Sequence, residues 1–131
     1  PGRRGIGERE EGRGRQSGYI DWSTLGGNYG KPKASLHKAF TYLIERYQVY
    51  IVVPAPTNCH DDLTHAAEWI EQYLSTPAHD HVIYTNQKTL LYGDFYIDMK
   101  PDDNLLCTAI QLGSPDFKTW EEVITYFSRL S

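Results

Sequence analysis

The sequence predicts an α/β sandwich in which helices pack on a mostly parallel sheet. Short apolar stretches rich in β-branched residues alternate along the chain with longer stretches of helical period. Residues 48–55 (QVYIVVPA) form a continuous apolar run, which is typical of a strand that is covered on both faces. Because such alternation requires strand–helix–strand crossovers, it favours a parallel sheet. The 131 residues suffice for one domain of ordinary size.

Five short stretches have the composition of strands. The first is the apolar run 19–22, which stops at the glycine-rich loop 25–30. The second is the continuous run described above, and the other three are shorter. The predicted strands are residues 19–22, 48–55, 81–85, 95–98 and 107–112.

Three stretches have helical period. Ser35 is the predicted N-cap of the first helix, and Asp61 or Asp62 caps the second. Thr119 and Glu122 form a capping box that opens the third. The apolar positions predicted to face inward are 36, 40, 43, 44 and 47 in the first helix, 63, 66, 67, 70, 73 and 74 in the second, and 120, 123, 127 and 130 in the third.

Charge is distributed unevenly along the chain. Residues 1–18 contain five arginines, three glutamates and six glycines, so this segment is basic, whereas the whole chain carries a formal charge of −4. Such a composition buries too little apolar surface to offset its ordering entropy, which predicts a disordered tail over 1–18 and a folded domain over 19–131. An acidic domain does not favour nucleic-acid binding, and the arginines of the tail are the only basic cluster suited to phosphate backbones.

Several protein classes do not fit this sequence. Apolar runs are far shorter than the roughly 18 residues of a membrane-spanning helix, and the amino-terminal segment is not a secretory signal. Two cysteines, Cys59 and Cys107, make neither a disulfide framework nor a zinc site, and Cys107 falls in a strand expected to be buried. We therefore expect a soluble, cytoplasmic protein.

Polar residues follow the predicted strands, at the edge where parallel α/β sheets bind ligands. One lysine faces several acids across this edge, with hydroxyl groups nearby. Clustered carboxylates favour a hard cation such as Mg²⁺, and the lysine could balance the charge of a phosphate, although polar loop residues are also the ordinary composition of strand ends. These residues are Asp21, Ser23 and Thr24, then residues 54–58, then Asn86 and Lys88, then residues 98–103.

The chain from Tyr42 onward resembles the 5'(3')-deoxyribonucleotidase branch of the haloacid dehalogenase-like phosphatases, and especially its small bacterial 5'-nucleotidases. The resemblance implies a Rossmann-like three-layer core, Mg²⁺ as cofactor and an aspartyl-phosphate intermediate formed on a nucleoside monophosphate. The segments that carry it are YQVYIVVPAP (47–56), EWIEQYL (68–74), NQKTLLYGDFYIDMKPDDN (86–104) and QLGSPDFKTWEEVITYF (111–127).

The first two family motifs are altered in this chain. The first is Asp-x-Asp after an apolar strand, and the resemblance makes Asp21 the candidate nucleophile and metal ligand, with Ser23 where the family has its general acid. The hydroxyl of Ser23 has no pKa near neutrality and cannot replace a carboxylic acid in that role. The second motif ends a strand with a phosphate-binding Ser or Thr. Here the strand ends at Pro54, and the next hydroxyl is that of Thr57.

The third and fourth motifs are closer to the family pattern. Lys88 matches the phosphate-binding lysine of the third. The fourth keeps Asp94, a candidate binding residue like Ser23 and Thr57, in its Gly-Asp pair. It also keeps Asp98 as its first acid and candidate metal ligand, but Met99 replaces the second acid. A thioether does not suit Mg²⁺. The acid that would replace the missing second acid as a metal ligand is then Asp102 or Asp103.

The family's helical cap, which encloses the nucleoside, has little room here, because residues 22–47 provide for only a loop and one helix. If Asp21 belongs to the first motif, the core lacks its cap and its site is open to water. Alternatively, residues 19–25 are not the first strand, and the chain lacks the central element of the sheet.

Two functions follow from these observations. The first is a nucleotidase-like domain that is catalytically impaired and binds a nucleotide, a phosphate or a protein partner. The second is an active Mg²⁺-dependent (deoxy)nucleoside monophosphate phosphohydrolase that uses Asp21, Lys88, Asp98 and a substitute acid. A capless site would also expose Trp22, Tyr29 and Tyr92, and we expect self-association or a protein partner at that surface.

Overall fold

The computed structural model describes residues 16–26, 34–55, 63–74 and 81–130. Their five strands form one sheet in the order β3-β2-β1-β4-β5, and every neighbouring pair is parallel. The strands are β1 (Ser17–Asp21), β2 (Gln48–Val53), β3 (Val82–Tyr84), β4 (Tyr92–Asp98) and β5 (Leu106–Gln111). The helices are α1 (Ala34–Arg46), α2 (Leu63–Tyr73) and α3 (Trp120–Leu130), and two 3-10 helices span Trp22–Leu25 and Lys88–Leu90. The predicted α/β fold is confirmed as a Rossmann-like arrangement.

The first strand of the chain is the centre of the sheet. Ile20 of β1 is in register with Ile51 of β2 on one side and with Ile97 of β4 on the other. Residues 19–21 are therefore the central strand, and the alternative in which the chain lacks this element is wrong. The strand begins at Ser17 and so includes two residues that the sequence assigned to the tail.

Side chains from alternate positions of the strands form a helical face, which α1, α2 and α3 cover. Ile20, Ile51, Phe95, Ile97 and Ile110 belong to this face, and each is at most 3% exposed. All three helices contribute buried residues to the same cluster, so the main hydrophobic core lies between them and the sheet. Burial of these side chains is the main source of stability for such a core.

The opposite positions of the strands form a tyrosine face. Tyr19, Val52 and Tyr96 are its buried apolar residues. In the described ranges no helix packs on them, and they are covered by Leu91 and Leu105 of the connections that precede β4 and β5. The third layer of the sandwich, as far as the structure describes it, consists of these connections and is much thinner than the helical layer.

Close packing explains a glycine in β1. A Cβ atom at Gly18 would lie 1.9 Å from Cζ of Phe95 and so overlap the edge of the aromatic ring. Phe95 in turn packs edge-on against Phe127 of α3, with ring centroids 4.7 Å apart. The absence of a side chain at position 18 therefore lets an aromatic ring of the helical face lie directly over the central strand.

Several element boundaries differ from the sequence prediction. Helix α1 begins at Ala34, so Ser35 lies inside the helix and is not its N-cap. The predicted caps Asp61 and Asp62 lie outside the described residues. Leu130 is 62% exposed instead of facing inward, because the core contacts of α3 end at Phe127. The predicted burial of Cys107 is also wrong: the residue is only half-buried, because β5 is an edge strand.

Helix α2 buries Trp69, which the periodic pattern did not assign to its inner face. The indole packs edge-on against Trp22, with ring centroids 5.2 Å apart. Among the described helices, none has the length and apolar character needed to cross a lipid bilayer.

Candidate active site

Asp21 ends the central strand and caps the 3-10 helix that follows it. Its Oδ2 atom accepts hydrogen bonds from the backbone N–H of Ser23 (3.2 Å) and from the Ser23 hydroxyl (2.6 Å). The Thr24 hydroxyl donates to the Asp21 carbonyl oxygen at 2.7 Å. This capping geometry fixes one carboxylate oxygen at the carboxyl edge of the sheet.

The other oxygen of Asp21 is held by a residue from a different strand. The Tyr96 hydroxyl donates to Oδ1 of Asp21 at 2.8 Å, and the Tyr96 side chain is fully buried. Burial, together with the nearby charge of Asp21 and this hydrogen bond, raises the pKa of Tyr96 far above its usual value. The hydroxyl therefore stays protonated and remains a donor to the carboxylate.

Lys88 and Asp98 form an ion pair beside Asp21. Lys88 Nζ lies 2.8 Å from Oδ2 of Asp98 and 4.0 Å from Oδ1 of Asp21. The second oxygen of Asp98 accepts the backbone N–H of Lys100 at 3.1 Å. Burial alone would lower the pKa of Lys88, but the hydrogen bond and charge of Asp98, followed by the charge of Asp21, raise it overall. The ammonium group is therefore charged at neutral pH.

A small cavity lies over these groups. Its volume is about 210 Å³. Ligand sites for drug-sized molecules span about 300–1,000 Å³, so the cavity suits a phosphate-sized group better than a whole nucleotide. It is lined by Asp21, Val52, Pro54, Thr85, Asn86 and Lys88.

Two of the lining residues are tied to neighbouring loops. The Asn86 side-chain amide donates to the carbonyl oxygen of Ala55 at 3.0 Å, and the Thr85 hydroxyl accepts the backbone N–H of Gln87 at 2.9 Å. Pro54 offers no backbone N–H at this corner. The polar wall opposite Asp21 is thus supplied by the residues that follow β3.

The structure brings three of the predicted site residues together and separates others from them. Asp21, Lys88 and Asp98 converge, and Ser23 contacts Asp21. Asp94, which the sequence placed in the binding site, lies at the other end of the sheet, because its position four residues before Asp98 carries it along β4. There its carboxylate accepts the backbone N–H of Ser17 at 2.8 Å.

The two proposed substitute acids, Asp102 and Asp103, lie in the turn before β5, where one makes a local hydrogen bond and the other is exposed. Asp102 accepts the backbone N–H of Asn104 at 2.8 Å, although its charge still contributes to the raised pKa of Lys88. Asp103 is exposed. Thr57 lies outside the described residues. Within the described ranges, no three His, Cys, Asp or Glu side chains are grouped so as to hold a metal ion.

The predicted apolar surface has a different composition from the one expected. Trp22 is only 8% exposed, because it packs against Trp69. Tyr92 is 80% exposed but begins β4, at the end of the sheet away from Asp21. Tyr29 lies outside the described residues. Association with a partner or with a second copy remains a prediction, but its expected surface at the strand ends does not include Trp22 or Tyr92.

Tyr96 and Thr85 are site residues that the sequence reasoning missed. Tyr96 precedes Asp98 by two positions, and residues two apart on a strand point to the same face. Asp98 as a site candidate was therefore sufficient to identify Tyr96. Thr85 directly follows β3 and carries the hydroxyl that Pro54 lacks at the corresponding end of β2.

No protein-family model matches the chain. One similar curated protein is the "Putative 5'(3')-deoxyribonucleotidase" of Vibrio phage KVP40, with 27% identity over 101 residues. The matched region covers 75% of this chain but only 59% of the phage protein. At this identity and coverage, the chain is similar to a nucleotidase.

Proposed function

We propose that this chain is a nucleotidase-like domain of the haloacid dehalogenase-like type, impaired in hydrolysis, which binds the phosphate of a nucleotide at Lys88. The similarity to the phage protein and the family motifs around Lys88 and Asp98 support the nucleotidase-like part. The cavity beside the charged ammonium group supports phosphate binding. The hydrogen bonds of the two carboxylates support the loss of hydrolysis.

The occupied oxygens of Asp21 and Asp98 are the observation on which this proposal depends. A carboxylate oxygen has about two acceptor positions. Oδ2 of Asp21 uses both for Ser23, and Oδ1 already accepts from Tyr96. Each oxygen of Asp98 also has a donor, Lys88 on one and the backbone of Lys100 on the other. Five of the eight acceptor positions of the two carboxylates are thus used before a substrate binds, and one position remains on Oδ1 of Asp21 and one on each oxygen of Asp98.

The general acid is missing from its family position. Ser23 stands there, and its hydroxyl donates at 2.6 Å to Oδ2 of Asp21. A group committed to the nucleophile is not free to protonate a leaving oxygen. General acid catalysis contributes typically about 10²–10⁴-fold to a rate, so this replacement alone predicts a severe loss of turnover.

The arrangement does not fit Mg²⁺. Magnesium requires near-octahedral oxygen ligands, and the two buried carboxylates are already engaged by a lysine, hydroxyls and backbone donors. Met99, in the place of the second family acid, is a soft thioether ligand and is 49% exposed. We therefore propose that the positive charge of this site is the ammonium group of Lys88 and not a bound metal ion.

A core without a cap is part of this proposal. Within residues 22–47 the structure describes a 3-10 helix and α1, and α1 packs on the helical face, on the opposite side of the sheet from Asp21. About one-third of the Lys88 side chain is exposed. A phosphate bound there would keep part of its hydration, which suits reversible binding better than a reaction that requires water exclusion.

Turnover and binding can be measured separately. Purified protein is incubated with Mg²⁺ and a panel of 5'- and 3'-(deoxy)nucleotides, with Asp21→Asn as the matched control. We expect no phosphate release above that of the control. We also expect inorganic phosphate to raise the thermal midpoint of the wild-type protein and to have no effect on Lys88→Met, because a ligand of the native state adds to its stability.

An active phosphohydrolase is the second candidate. The convergence of Asp21, Lys88 and Asp98 favours it, since Oδ1 of Asp21 retains one acceptor position and lies 4.0 Å from the lysine. In that case Oδ1 would attack phosphorus as the bond between phosphorus and the nucleoside oxygen breaks, and the leaving oxygen would take its proton from water. A second water would then hydrolyse the aspartyl-phosphate, which releases phosphate and restores the Asp21 carboxylate. Phosphate release that Asp21→Asn abolishes would establish this candidate and contradict the impaired domain.

A further inference from the structure

We propose that Tyr96 is a positioning residue that holds the Asp21 carboxylate away from Lys88 and so keeps the lysine available to an anion. This inference rests on the proposed phosphate site and assigns to it a residue for which the family motifs described above give no role. It is carried by the hydrogen bond between the Tyr96 hydroxyl and Oδ1 of Asp21 (2.8 Å), by the distance between Lys88 and Oδ1 (4.0 Å), and by the full burial of Tyr96.

The two oxygens of Asp21 are fixed by different parts of the chain. Oδ2 is held within the local cap by Ser23, two residues away in sequence. Oδ1 is held by Tyr96, which lies 75 residues further along the chain, on the neighbouring strand β4. Because the two oxygens belong to one planar group, the Ser23 contacts and the Tyr96 contact together set its rotation, and among the described residues Tyr96 donates to the oxygen that faces Lys88.

The donors of Lys88 show why this rotation matters. An ammonium group has three N–H donors. One is used on Asp98 at 2.8 Å, and at 4.0 Å Oδ1 of Asp21 lies beyond hydrogen-bond distance. If Asp21 turned and accepted a second donor, one donor of Lys88 instead of two would remain for an incoming phosphate. The Tyr96 hydroxyl occupies one of the two acceptor positions of Oδ1 and holds this oxygen 4.0 Å from Lys88, so that two donors of the lysine stay available.

The position of Tyr96 makes it suited to fixing an orientation. Its ring is fully buried on the tyrosine face, and the centroid lies 5.9 Å from that of Tyr19. A phenol held in a packed layer has little rotational freedom, so its hydroxyl defines one place for the acceptor. Tyr96 does not line the cavity and acts through Asp21, which makes it a positioning residue and not a catalytic one.

The test uses Tyr96→Phe, which removes the hydroxyl and keeps the ring. Tyr19→Phe is the matched control, because Tyr19 is a buried neighbour on the same face whose hydroxyl donates to the Tyr92 carbonyl (2.9 Å), away from Asp21. Crystal structures of both ligand-free variants are compared with the wild type. We expect the Asp21 carboxylate to turn to within hydrogen-bond distance of Lys88 in Tyr96→Phe and to stay in place in Tyr19→Phe. An unmoved carboxylate in Tyr96→Phe would overturn the inference.

A second readout is the affinity for inorganic phosphate, measured by calorimetric titration. Tyr96→Phe is expected to bind phosphate about fivefold more weakly than the wild type, with Tyr19→Phe unchanged. Equal losses in the two variants would overturn the positioning role, because they would reflect general loosening of the tyrosine face. If the wild type itself binds no phosphate, the proposed function fails, while the variant structures still decide whether Tyr96 holds Asp21.

A third measurement covers the case in which Tyr96→Phe does not fold. The hydroxyl proton of Tyr96 is observed by NMR in the wild-type protein and in Asp21→Asn. We expect this proton to move upfield in the variant, because a hydrogen bond to a carboxylate is stronger than one to a neutral amide. An unchanged resonance would contradict the hydrogen bond on which the inference depends.

Discussion

The two faces of the sheet use the same strands for different purposes. On the helical face, neighbouring strands of the sheet contribute apolar side chains such as Ile20, Ile51 and Ile97, and three helices cover them. On the tyrosine face, Asp21, Tyr96 and Asp98 occupy the alternate positions of the same strands. Their cover, within the described ranges, is the pair of connections that carry Leu91 and Leu105. One face therefore provides the packing, and the other carries the polar contacts of the site.

This division predicts how substitutions act. A residue on the helical face stabilises the protein by burial, so its removal lowers the free energy of unfolding without affecting a ligand. A residue of the tyrosine face that contacts Asp21 or Lys88 contributes through hydrogen bonds and charge, so its replacement changes both stability and binding. Neighbouring residues of one strand, such as Tyr96 and Ile97, should therefore behave differently.

The largest loss is expected from truncation on the helical face. Ile97→Ala removes a fully buried side chain and should lower the free energy of unfolding by about 2–5 kcal/mol, measured by urea denaturation. The phosphate affinity of the folded fraction should not change. A large loss of affinity at full folding would contradict the separation of the two faces.

A close second is Gly18→Ala, which tests the packing of Phe95 over the central strand. The added methyl group would overlap the Phe95 ring, and the forced repacking should cost about 1–3 kcal/mol in unfolding free energy. In a Phe95→Leu background, Gly18→Ala should lower the unfolding free energy by less than it does in the wild type, because the ring that it would overlap is gone. A neutral effect of Gly18→Ala would show that the helical face is more plastic than its burial indicates.

Asp98→Asn tests the tyrosine face. Asp98 is 3% exposed and Lys88 is one-third exposed, so loss of this ion pair should cost about 1–2 kcal/mol, less than for a fully buried pair. The same change frees Lys88 and should increase phosphate affinity in calorimetric titration. Asp103→Asn, at an exposed acid, is the control and should change neither quantity. A lower affinity in Asp98→Asn would contradict the competition between Asp98 and an anion.

The smallest effect concerns the reactivity of Cys107 under the thin layer. Burial raises the pKa of its thiol, which also lies 3.5 Å from the carbonyl oxygen of Leu91. Because the thiolate is the reactive form, alkylation of Cys107 at pH 8 should be slower than that of an unfolded cysteine peptide and should rise with pH beyond the usual cysteine range. The rate is measured with iodoacetamide in a Cys59→Ser background, and a rate equal to that of the peptide would show that the layer does not protect the thiol.

The sequence predicted the helical face better than the tyrosine face, for a physical reason. Apolar burial produces continuous apolar runs in strands and a helical period in helices, and the strands around Ile51 and Ile97 were recognised from such runs. The convergence of Asp21, Lys88 and Asp98 was expected only from strand ends and family motifs. Tyr96 was missed because a tyrosine in an apolar strand looks like core material, and its role depends on an acceptor 75 residues away.

Other errors came from edges, where periodicity does not report burial. Leu130 continues the apolar stripe of α3 but extends past the core, and Cys107 lies on a strand with one free edge. Asp94 was assigned to the site from its place in a motif, although strand geometry separates it from Asp98 along β4. In each case the local sequence pattern was read correctly, but that pattern does not show where the packed core or the site ends.

The central place of β1 also has a consequence for the order of folding. Asp21 is fixed by strands on both sides, and β4, which supplies Tyr96 and Asp98, lies in the last third of the chain. Parallel pairing over such sequence separations is slow compared with local contacts. Until β4 is in place, β1 is an unpaired edge and Asp21 lacks Tyr96, so the site is completed only as the second half of the sheet forms. A chain that stopped folding before β4 paired would expose the unpaired edge of β1. Aggregation through that edge would then compete with completion of the fold.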